Sequence, residues 1–355
     1  MSNRMQGHIS RHHTRSLLAV GAFLPVLVAM FVAVLTGCSG LMLTDDGRII
    51  DPNGEVVTGQ TNSSVSTPVG STSAQTESSR DPAETEAPLP FGDAEHAMHV
   101  EFLRTGESDC ILILMEDTVI LLDTGDADDY ETISATLKGY GIETVDYLIL
   151  SHFDNDHIGS ADRLLRQFSV TNVYMPDYVR RSSRYRAMVA ALEEVPDTVV
   201  HRLWGEDVHI ELGYGSLWIN ASSLFERGSS VGSDKDETLV TDENNYSLIT
   251  SVYFGDVSLF LPGDAERDRM EEFNALTEVQ RYTLVKTPHH GGYDMGLGTF
   301  LDRALPKYCV ITTDTAATMD PDLDRKIRMM ASKRFYTFDG DVIFSTDGTA
   351  TQVRQ

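Results

Sequence analysis

Cysteine and basic residues are scarce in this 355-residue chain. It has three cysteines, and 28 Lys and Arg against 54 Asp and Glu, which gives a formal net charge of −26. So acidic a chain has little basic surface with which to neutralise phosphates, and this argues against a strong nucleic-acid-binding surface. A phosphodiester substrate is not excluded, because a bound metal ion supplies positive charge locally.

Acidic residues are absent from residues 1–37, which carry three arginines ahead of an apolar run at 17–35. That order of charge and apolarity is typical of an export signal. The run ends in Leu-Thr-Gly followed by Cys38, which resembles the bacterial lipobox, where the cysteine is lipidated and becomes the new N-terminus. We therefore expect a signal peptide at 1–37, a lipid on Cys38, and a location on the extracytoplasmic face of the bacterial cell membrane. A plain transmembrane anchor is the alternative, because the run is nearly long enough to span a bilayer.

The other two cysteines, Cys110 and Cys309, each lie in an apolar, strand-like stretch. An exported pair can form a disulfide. A buried free thiol fits such a stretch at least as well.

Large apolar residues are nearly absent between about 51 and 90, where Ser, Thr, Gly, Pro and Glu dominate. Such a composition cannot build a core, so we expect a disordered tether at 38–95. The folded domain is then expected at 96–355. Within it, helices are predicted at 130–140, 161–168, 183–194 and 323–332. Strands that come in runs between these helices favour a layered α/β sandwich.

Histidines and aspartates collect where three apolar strands end. One strand runs into "SHFDNDHIGS" at 151–160, "VSLFLPGD" ends at Asp264, and "YTLVKTPHHGG" leads to His289 and His290. Sheets of α/β proteins commonly build their sites at these ends. Helix capping explains one aspartate, and a polar turn explains the two histidines taken alone, but neither explains all three strand ends. Imidazole and carboxylate donors indicate a divalent metal, zinc first, with manganese or iron as alternatives.

These residues match a known family. The segment "MHVEFLRTGESDCILILMEDTVILLDTGDADDYETISATLKGYGIETVDYLILSHFDNDHIGS" resembles the start of metallo-β-lactamase-fold hydrolases, in particular their ComEC-type competence branch. The resemblance continues through "ENNYSLITSVYFGDVSLFLPGDAE" and "YTLVKTPHHGG" and covers about residues 97–350. It implies an α/β fold of the αββα sandwich type, with a metal site at one edge of the two sheets.

The resemblance also implies a set of metal ligands, in which Asp264 bridges two ions. The set is His152, Asp154, Asp156, His157, Asp264 and His290. Asp154 stands where many members have a histidine, a replacement common in this branch. Asp123 resembles the family's buried aspartate that supports the first motif, and a turn cap explains it nearly as well.

One departure concerns the number of ions. Many members supply a further histidine between the first motif and the bridging aspartate. Here that interval holds His201 and His209, both in a strand-like context. We therefore expect one or two divalent ions.

The expected mechanism uses water that a bound metal activates to hydroxide at neutral pH. Asp156 would orient this water, and His289 would stabilise charge developing on a phosphoryl or acyl oxygen. Lys286 and Asn245, or its neighbour Asn244, would bind substrate.

The function expected from these features is an extracytoplasmic, lipid-anchored, metal-dependent hydrolase. The ComEC-type resemblance favours a phosphodiester substrate, either a small molecule or a polymer. A lactonase or thioesterase, and a non-catalytic metal- or ligand-binding lipoprotein, are the alternatives. A β-lactamase is disfavoured, because the branch most active on lactams uses a three-histidine site that Asp154 breaks.

Lipid anchoring can be tested at Cys38. We expect Cys38→Ala to release the protein from the membrane or to leave an unprocessed precursor, because the lipidated thiol is lost. Membrane fractionation and mass spectrometry of the native N-terminus measure this. A mature N-terminus other than Cys38 would contradict the prediction.

Overall fold

A computed structural model describes residues 42–43, 49–50, 94–232, 243–276 and 280–355. The chain divides into two units, Met1–Pro82 and Ala83–Gln355. The described part of the first unit is one antiparallel pair of two-residue strands, which falls within the range expected to be a tether. The expected signal peptide and Cys38 lie outside the described residues. Among the residues that are described, no helix has the length and apolarity needed to cross a membrane.

The strands are β1 (Met42–Leu43), β2 (Ile49–Ile50), β3 (Met98–Phe102), β4 (Ile111–Met115), β5 (Thr118–Leu122), β6 (Thr144–Ile149), β7 (Ser169–Pro176), β8 (Val179–Arg180), β9 (Val199–Leu203), β10 (Asp207–Leu212), β11 (Gly215–Asn220), β12 (Ser230–Val231), β13 (Ile249–Phe254), β14 (Val257–Leu261), β15 (Leu284–Lys286), β16 (Tyr308–Ile311), β17 (Lys333–Tyr336), β18 (Val342–Thr346) and β19 (Thr351–Arg354). The helices are α1 (Tyr130–Gly139), α2 (Asn155–Ile158), α3 (Ala161–Gln167), α4 (Ser183–Glu194), α5 (Arg267–Leu276), α6 (Met295–Ala304) and α7 (Pro321–Met329).

The four helices predicted from the sequence are present as α1, α3, α4 and α7, with ends that differ by a few residues. α4 begins where predicted, because the Ser182 hydroxyl accepts a hydrogen bond from the backbone N–H of Tyr185. α7 begins two residues earlier than predicted, since Asp320 caps it and Pro321 occupies its first turn.

Two large sheets carry the fold. The first has the strand order β19-β18-β3-β4-β5-β6-β7-β9, and the second has the order β10-β11-β13-β14-β15-β16-β17. The run β5-β6-β7-β9 is parallel, and so is the run β14-β15-β16-β17. A small parallel pair, β8 with β12, stands apart from both sheets.

Side chains that alternate along the strands fill three apolar layers. In β4, Ile111, Ile113 and Met115 face the core shared with the second sheet, whereas Leu112 packs with α1, α3 and α4. In the second sheet, Phe260 of β14 packs with α5, α6 and α7 on the outer face. Successive side chains of a strand point to opposite faces, so both faces of each sheet are covered. The order of layers is helix, sheet, sheet, helix, which confirms the expected αββα sandwich.

Cys110 and Cys309 are both buried free thiols, so the structure favours this alternative over a disulfide.

The outer layer of the second sheet can be tested at Phe260. Its ring lies 4.1 Å from the ring of Phe300 and 5.3 Å from that of Phe273, centroid to centroid. We expect Phe260→Ala to lower the free energy of unfolding by about 3–5 kcal/mol through lost burial and a cavity. Denaturant unfolding followed by circular dichroism measures it. Val199→Ala, at a half-exposed position, is the control and should change the value by less than about 0.5 kcal/mol.

Candidate metal centre

Four of the six predicted ligand residues converge at one edge of the sandwich. One ligand atom from each of Asp156, His157, Asp264 and His290 lies within 4.8 Å of the other three. Asp264 Oδ2 is 3.2 Å from Nε2 of His157 and 3.2 Å from Nε2 of His290. Asp156 Oδ2 is 3.4 and 3.1 Å from the same two nitrogens. Two imidazoles and two carboxylates therefore point at one small volume.

The carboxyl ends of parallel strands in both sheets bring these residues together. Asp156 and His157 follow β6 on the short helix α2, Asp264 follows β14, and His290 follows β15. The sequence predicted this convergence but not the helix, because four residues are too few for a helical pattern to show.

Left-handed backbone separates His290 from its neighbour. His289 and His290 have φ angles of 47° and 49°, and Gly291 has a φ of 104°. Non-glycine residues rarely adopt this conformation, and where they do, they are often found at functional sites. The turn buries the side chain of His290 and leaves that of His289 45% exposed.

Hydrogen bonds behind the cluster orient both histidines. His157 Nδ1 donates to Asp123 Oδ2 at 2.8 Å, and the backbone N–H of Ser151 donates to Asp123 Oδ1 at 2.7 Å. His290 Nδ1 donates to the carbonyl of Thr312 at 2.9 Å. With Nδ1 engaged, each ring presents Nε2 to the cluster, as metal-binding histidines do. Asp123 thus supports the first motif directly through hydrogen bonds. The structure favours this role over that of a turn cap.

A buried ionic network that the sequence did not reveal lies beneath Asp264. The Lys286 ammonium is 3.3 Å from Asp264 Oδ1, pairs with Asp109, and donates to the carbonyl of Gly263 at 3.0 Å. Asp109 in turn accepts a 2.6 Å hydrogen bond from the Thr312 hydroxyl. Lys286 and Asp109 are both fully buried.

This burial corrects the substrate-binding role expected of Lys286. Its side chain has no accessible surface and is surrounded by groups of the protein, so it cannot reach a substrate in the pocket. Lys286 is instead a counter-ion for Asp109 and Asp264.

His152 and Asp154 stand beside the cluster of four. His152 Nε2 is 3.7 Å from Asp154 Oδ2, and its Nδ1 is 3.1 Å from the Ser151 hydroxyl. Asp154 Oδ1 lies 3.2 Å from Nη2 of Arg180, whose Nη1 pairs with Glu243. Arg180 and Glu243 are both buried, and the sequence patterns did not single them out.

The field of the carboxylates favours positive charge in the cluster. Burial lowers the pKa of His157, but Asp264, Asp156 and Asp123 outweigh it and raise that pKa well above the ordinary value. Burial likewise lowers the pKa of His290, which Asp264 and Asp156 nevertheless raise to about 10. The site therefore attracts either protons or a metal cation, and a metal would release the protons as it binds.

Glu243 shows the opposite behaviour. Burial, followed by the Asp154 carboxylate, raises its pKa to about 7 against the opposing charge of Arg180.

The residues present fit a divalent metal ion. Two buried imidazole nitrogens, Nε2 of His152 and Nε2 of His157, make no hydrogen bond within the described part of the chain, and that of His157 belongs to the cluster of four. Buried polar atoms are normally paired, and a metal ion is a common explanation for exceptions at such a site. The oxygen and nitrogen donors suit zinc, manganese or iron.

A pocket of about 510 Å³ is lined by His289 and Ala265, the chain neighbours of the ligands His290 and Asp264, and by residues that include Asn245, Glu266 and Tyr293. His289 Nδ1 lies 3.1 Å from Glu266 Oε1, and this hydrogen bond raises the pKa of His289, whereas burial lowers it. The Asn245 side-chain oxygen accepts a hydrogen bond from the backbone of Arg269 at 3.0 Å. The structure thus places two predicted substrate-facing residues at one pocket.

The two remaining histidines of the interval lie elsewhere. His201 in β9 stacks on Tyr174, and His209 in β10 stacks on Trp218. Neither histidine belongs to the cluster of four. Among the described residues, this interval therefore supplies no further histidine ligand.

The family model described as the metallo-beta-lactamase superfamily matches residues 103–311, which is more than half of the chain. ComE operon protein 3 of Bacillus subtilis (strain 168) is 27% identical over 177 residues, or 50% of this chain and 21% of that protein. This chain thus spans about a fifth of the length of that relative.

Among solved structures, the chain is similar to the metallo-beta-lactamase fold protein YhfI from Bacillus subtilis, with a TM-score of 0.47 and 14% identity over 71% of this chain and 100% of that one. It is also similar to Igni18, a metallo hydrolase from the hyperthermophilic archaeon Ignicoccus hospitalis KIN4/I. Here the TM-score is 0.41 and the identity 13% over 72% of this chain and 99% of that one.

The central carboxylate can be tested by replacement. We expect Asp264→Ala to lose most bound metal while the domain stays folded, because Asp264 Oδ2 faces both imidazoles of the cluster. Elemental analysis of the purified protein measures the metal, and circular dichroism reports folding. Asp268→Ala, an exposed carboxylate four residues on, is the matched control and should keep its metal. Equal metal content in Asp264→Ala and wild type would show that Asp264 is not a ligand.

Proposed function

The chain belongs to the metallo-beta-lactamase superfamily, and from this premise we propose that it hydrolyses a phosphodiester outside the cytoplasm, anchored by a lipid on Cys38. Membership and the cluster of ligands make it a metal-dependent hydrolase. The substrate class, the anchor and the location are the proposed part.

One observation carries the proposal. The four converging ligands lie beside a pocket into which the loop after β15 presents His289, the neighbour of His290. A metal site next to a cavity, with a hydrogen-bonded imidazole in the cavity wall, is typical of hydrolytic sites. In structural metal sites, by contrast, protein ligands occupy all coordination positions of the ion.

A divalent ion held by Asp156, His157, Asp264 and His290 would supply a Lewis acid that activates water at neutral pH. Asp156 is the most exposed of the four, with 31% of its side chain accessible, so its carboxylate is the one placed to orient an incoming water molecule. The other three ligands are almost fully buried and exclude bulk water from behind.

His289 supplies charge on the substrate side. Glu266 engages Nδ1 and fixes the ring, which leaves Nε2 as the nitrogen that can donate to a phosphoryl oxygen. A donor held in place before the reaction stabilises developing negative charge without reorganisation. Asn245, held by the backbone of Arg269, lines the same pocket and can contact the substrate.

The phosphodiester preference is supported by the ComEC-type resemblance of the sequence. The similarity to ComE operon protein 3 supports the resemblance itself. A net charge of −26 repels long nucleic acids at moderate ionic strength. A small or membrane-linked phosphodiester therefore suits the chain better than free DNA or RNA.

Export is supported by the basic, then apolar, then lipobox-like order of residues 1–38. A lipid on Cys38, followed by a Ser- and Thr-rich segment, would hold the hydrolase near the membrane surface.

The two adjacent histidines separate metal binding from catalysis. We expect His290→Ala to lose both metal and activity, and His289→Ala to keep its metal but turn over about 10²- to 10³-fold more slowly. A ligand contributes to metal affinity in the ground state, whereas a charge-stabilising donor acts mainly in the transition state. Metal stoichiometry and hydrolysis of bis-p-nitrophenyl phosphate measure the two effects. The exposed His209→Ala is the control and should change neither quantity.

The reverse result, with metal lost in His289→Ala and kept in His290→Ala, would overturn the assignment. A substrate panel tests the class: choline phosphodiester, DNA, RNA, a lactone, a thioester and a lactam. Hydrolysis of the lactone or thioester without any phosphodiester cleavage would replace the proposed substrate class. Chelation should abolish turnover and added zinc or manganese should restore it.

A further inference from the structure

Two buried cations of the protein contact the carboxylates that a second metal ion would need. The first is Arg180, whose guanidinium lies 3.2 Å from Asp154 Oδ1 and also pairs with Glu243. Arg180 stands at the end of β8, which pairs with β12, so this small sheet positions the guanidinium. Tyr178 reinforces the arrangement, since its hydroxyl donates to Glu243 at 2.6 Å.

The second cation is Lys286. It lies 3.3 Å from Oδ1 of Asp264, whereas Oδ2 of the same carboxylate faces His157 and His290. One oxygen of Asp264 therefore serves the cluster of four and the other is paired with an ammonium group. A carboxylate that bridges two ions through both oxygens has no oxygen left to pair with a lysine. A bridge through a single oxygen would leave the other one available.

We infer that this chain binds one metal ion, through Asp156, His157, Asp264 and His290, and that Arg180 excludes a second ion from His152 and Asp154. The inference rests on the metal dependence of the proposed function and not on its substrate class.

The chemistry of the remaining donors agrees with this. Zinc sites in proteins have three or four protein ligands. Beside Arg180 the described residues offer His152 and two carboxylates, Asp154 and Glu243, that both already pair with this guanidinium. His201 and His209 stack on aromatic rings elsewhere. A divalent ion at Asp154 would stand close to a buried guanidinium of like charge, or would displace it and leave Arg180 buried with a weaker partner.

The number of ions can be counted without an activity assay. The full-length chain, stripped with a chelator and reloaded with excess Zn²⁺, should hold one ion per chain after gel filtration, by elemental analysis. Reloaded with Mn²⁺, it should give the electron paramagnetic resonance spectrum of an isolated ion and not that of a coupled pair. Two ions per chain in the wild type would overturn the inference, whereas no bound metal would instead refute the metal-dependent function on which it rests.

Variants locate the cause. Asp154→Asn should still bind one ion, with a Kd raised by no more than about 100-fold, because Asp154 is not a ligand. Loss of the ion from this variant would overturn the inference. Arg180→Ala should bind a second ion, because His152 and Asp154 are then left without the guanidinium. Arg181→Ala, the exposed neighbour, is the matched control and should stay at one.

A folded Arg180→Ala that stays at one ion would show that Arg180 is not what excludes the second. Circular dichroism reports whether that variant folds. If it does not, the wild-type count and Asp154→Asn decide the number of ions, and Arg180→Lys, which keeps the charge, should stay at one.

Discussion

The Asp264 carboxylate is the contact on which the rest of the site depends. It follows β14 of the second sheet, yet it faces His157 from the first sheet, and its other oxygen faces Lys286. At the carboxyl-end edge of the sandwich, charged groups therefore join the two sheets, whereas apolar side chains fill the interior between them. Buried charges are tolerated only when they are paired, so this edge specifies which partners must meet.

Charge balance explains why that edge attracts a cation. Four carboxylates contact the two histidines or Lys286 at this edge: Asp109, Asp123, Asp156 and Asp264. Among the described residues in contact with these carboxylates, Lys286 is the one permanently charged cation. The deficit of positive charge appears as raised pKa values of His157 and His290. A divalent ion meets the same deficit while leaving both imidazoles neutral. Folding and metal binding are thereby coupled, because the ion stabilises the folded state in which these carboxylates converge.

The runs of strands predicted a layered α/β sandwich, and the His and Asp residues at the strand ends predicted a metal site, because both leave local signals. The αββα arrangement came from the family resemblance. An apolar strand that ends in His or Asp is visible within ten residues, as in the stretches that lead to His157 and Asp264. Arg180 and Glu243 left no such signal. They lie 63 positions apart in the sequence. An isolated charged residue is normally expected at the surface, and only the structure shows that these two are buried.

Lys286 illustrates the same limit from the opposite side. The sequence showed a positive charge close to two histidines, which fits a substrate contact. It could not show that Asp109, 177 positions earlier, pairs with that lysine beneath the site. Short helices were missed for a related reason: α2 has four residues and is held by contacts of its side chains rather than by a periodic pattern.

The residues on the two sides of the ligand cluster differ in how much of their surface is accessible. On one side, Arg180, Asp154, Glu243 and Tyr178 form a buried, mutually paired group that presents no accessible donor. On the other, the left-handed turn at His289 opens onto the pocket, and Asp156 retains accessible surface. Accessible surface near the ligands is therefore found at Asp156 and His289, and not at the group around Arg180. Under the proposed function, a substrate that approaches from this side would lie between the His289 imidazole and the Asp156 carboxylate, and this placement would orient it for reaction.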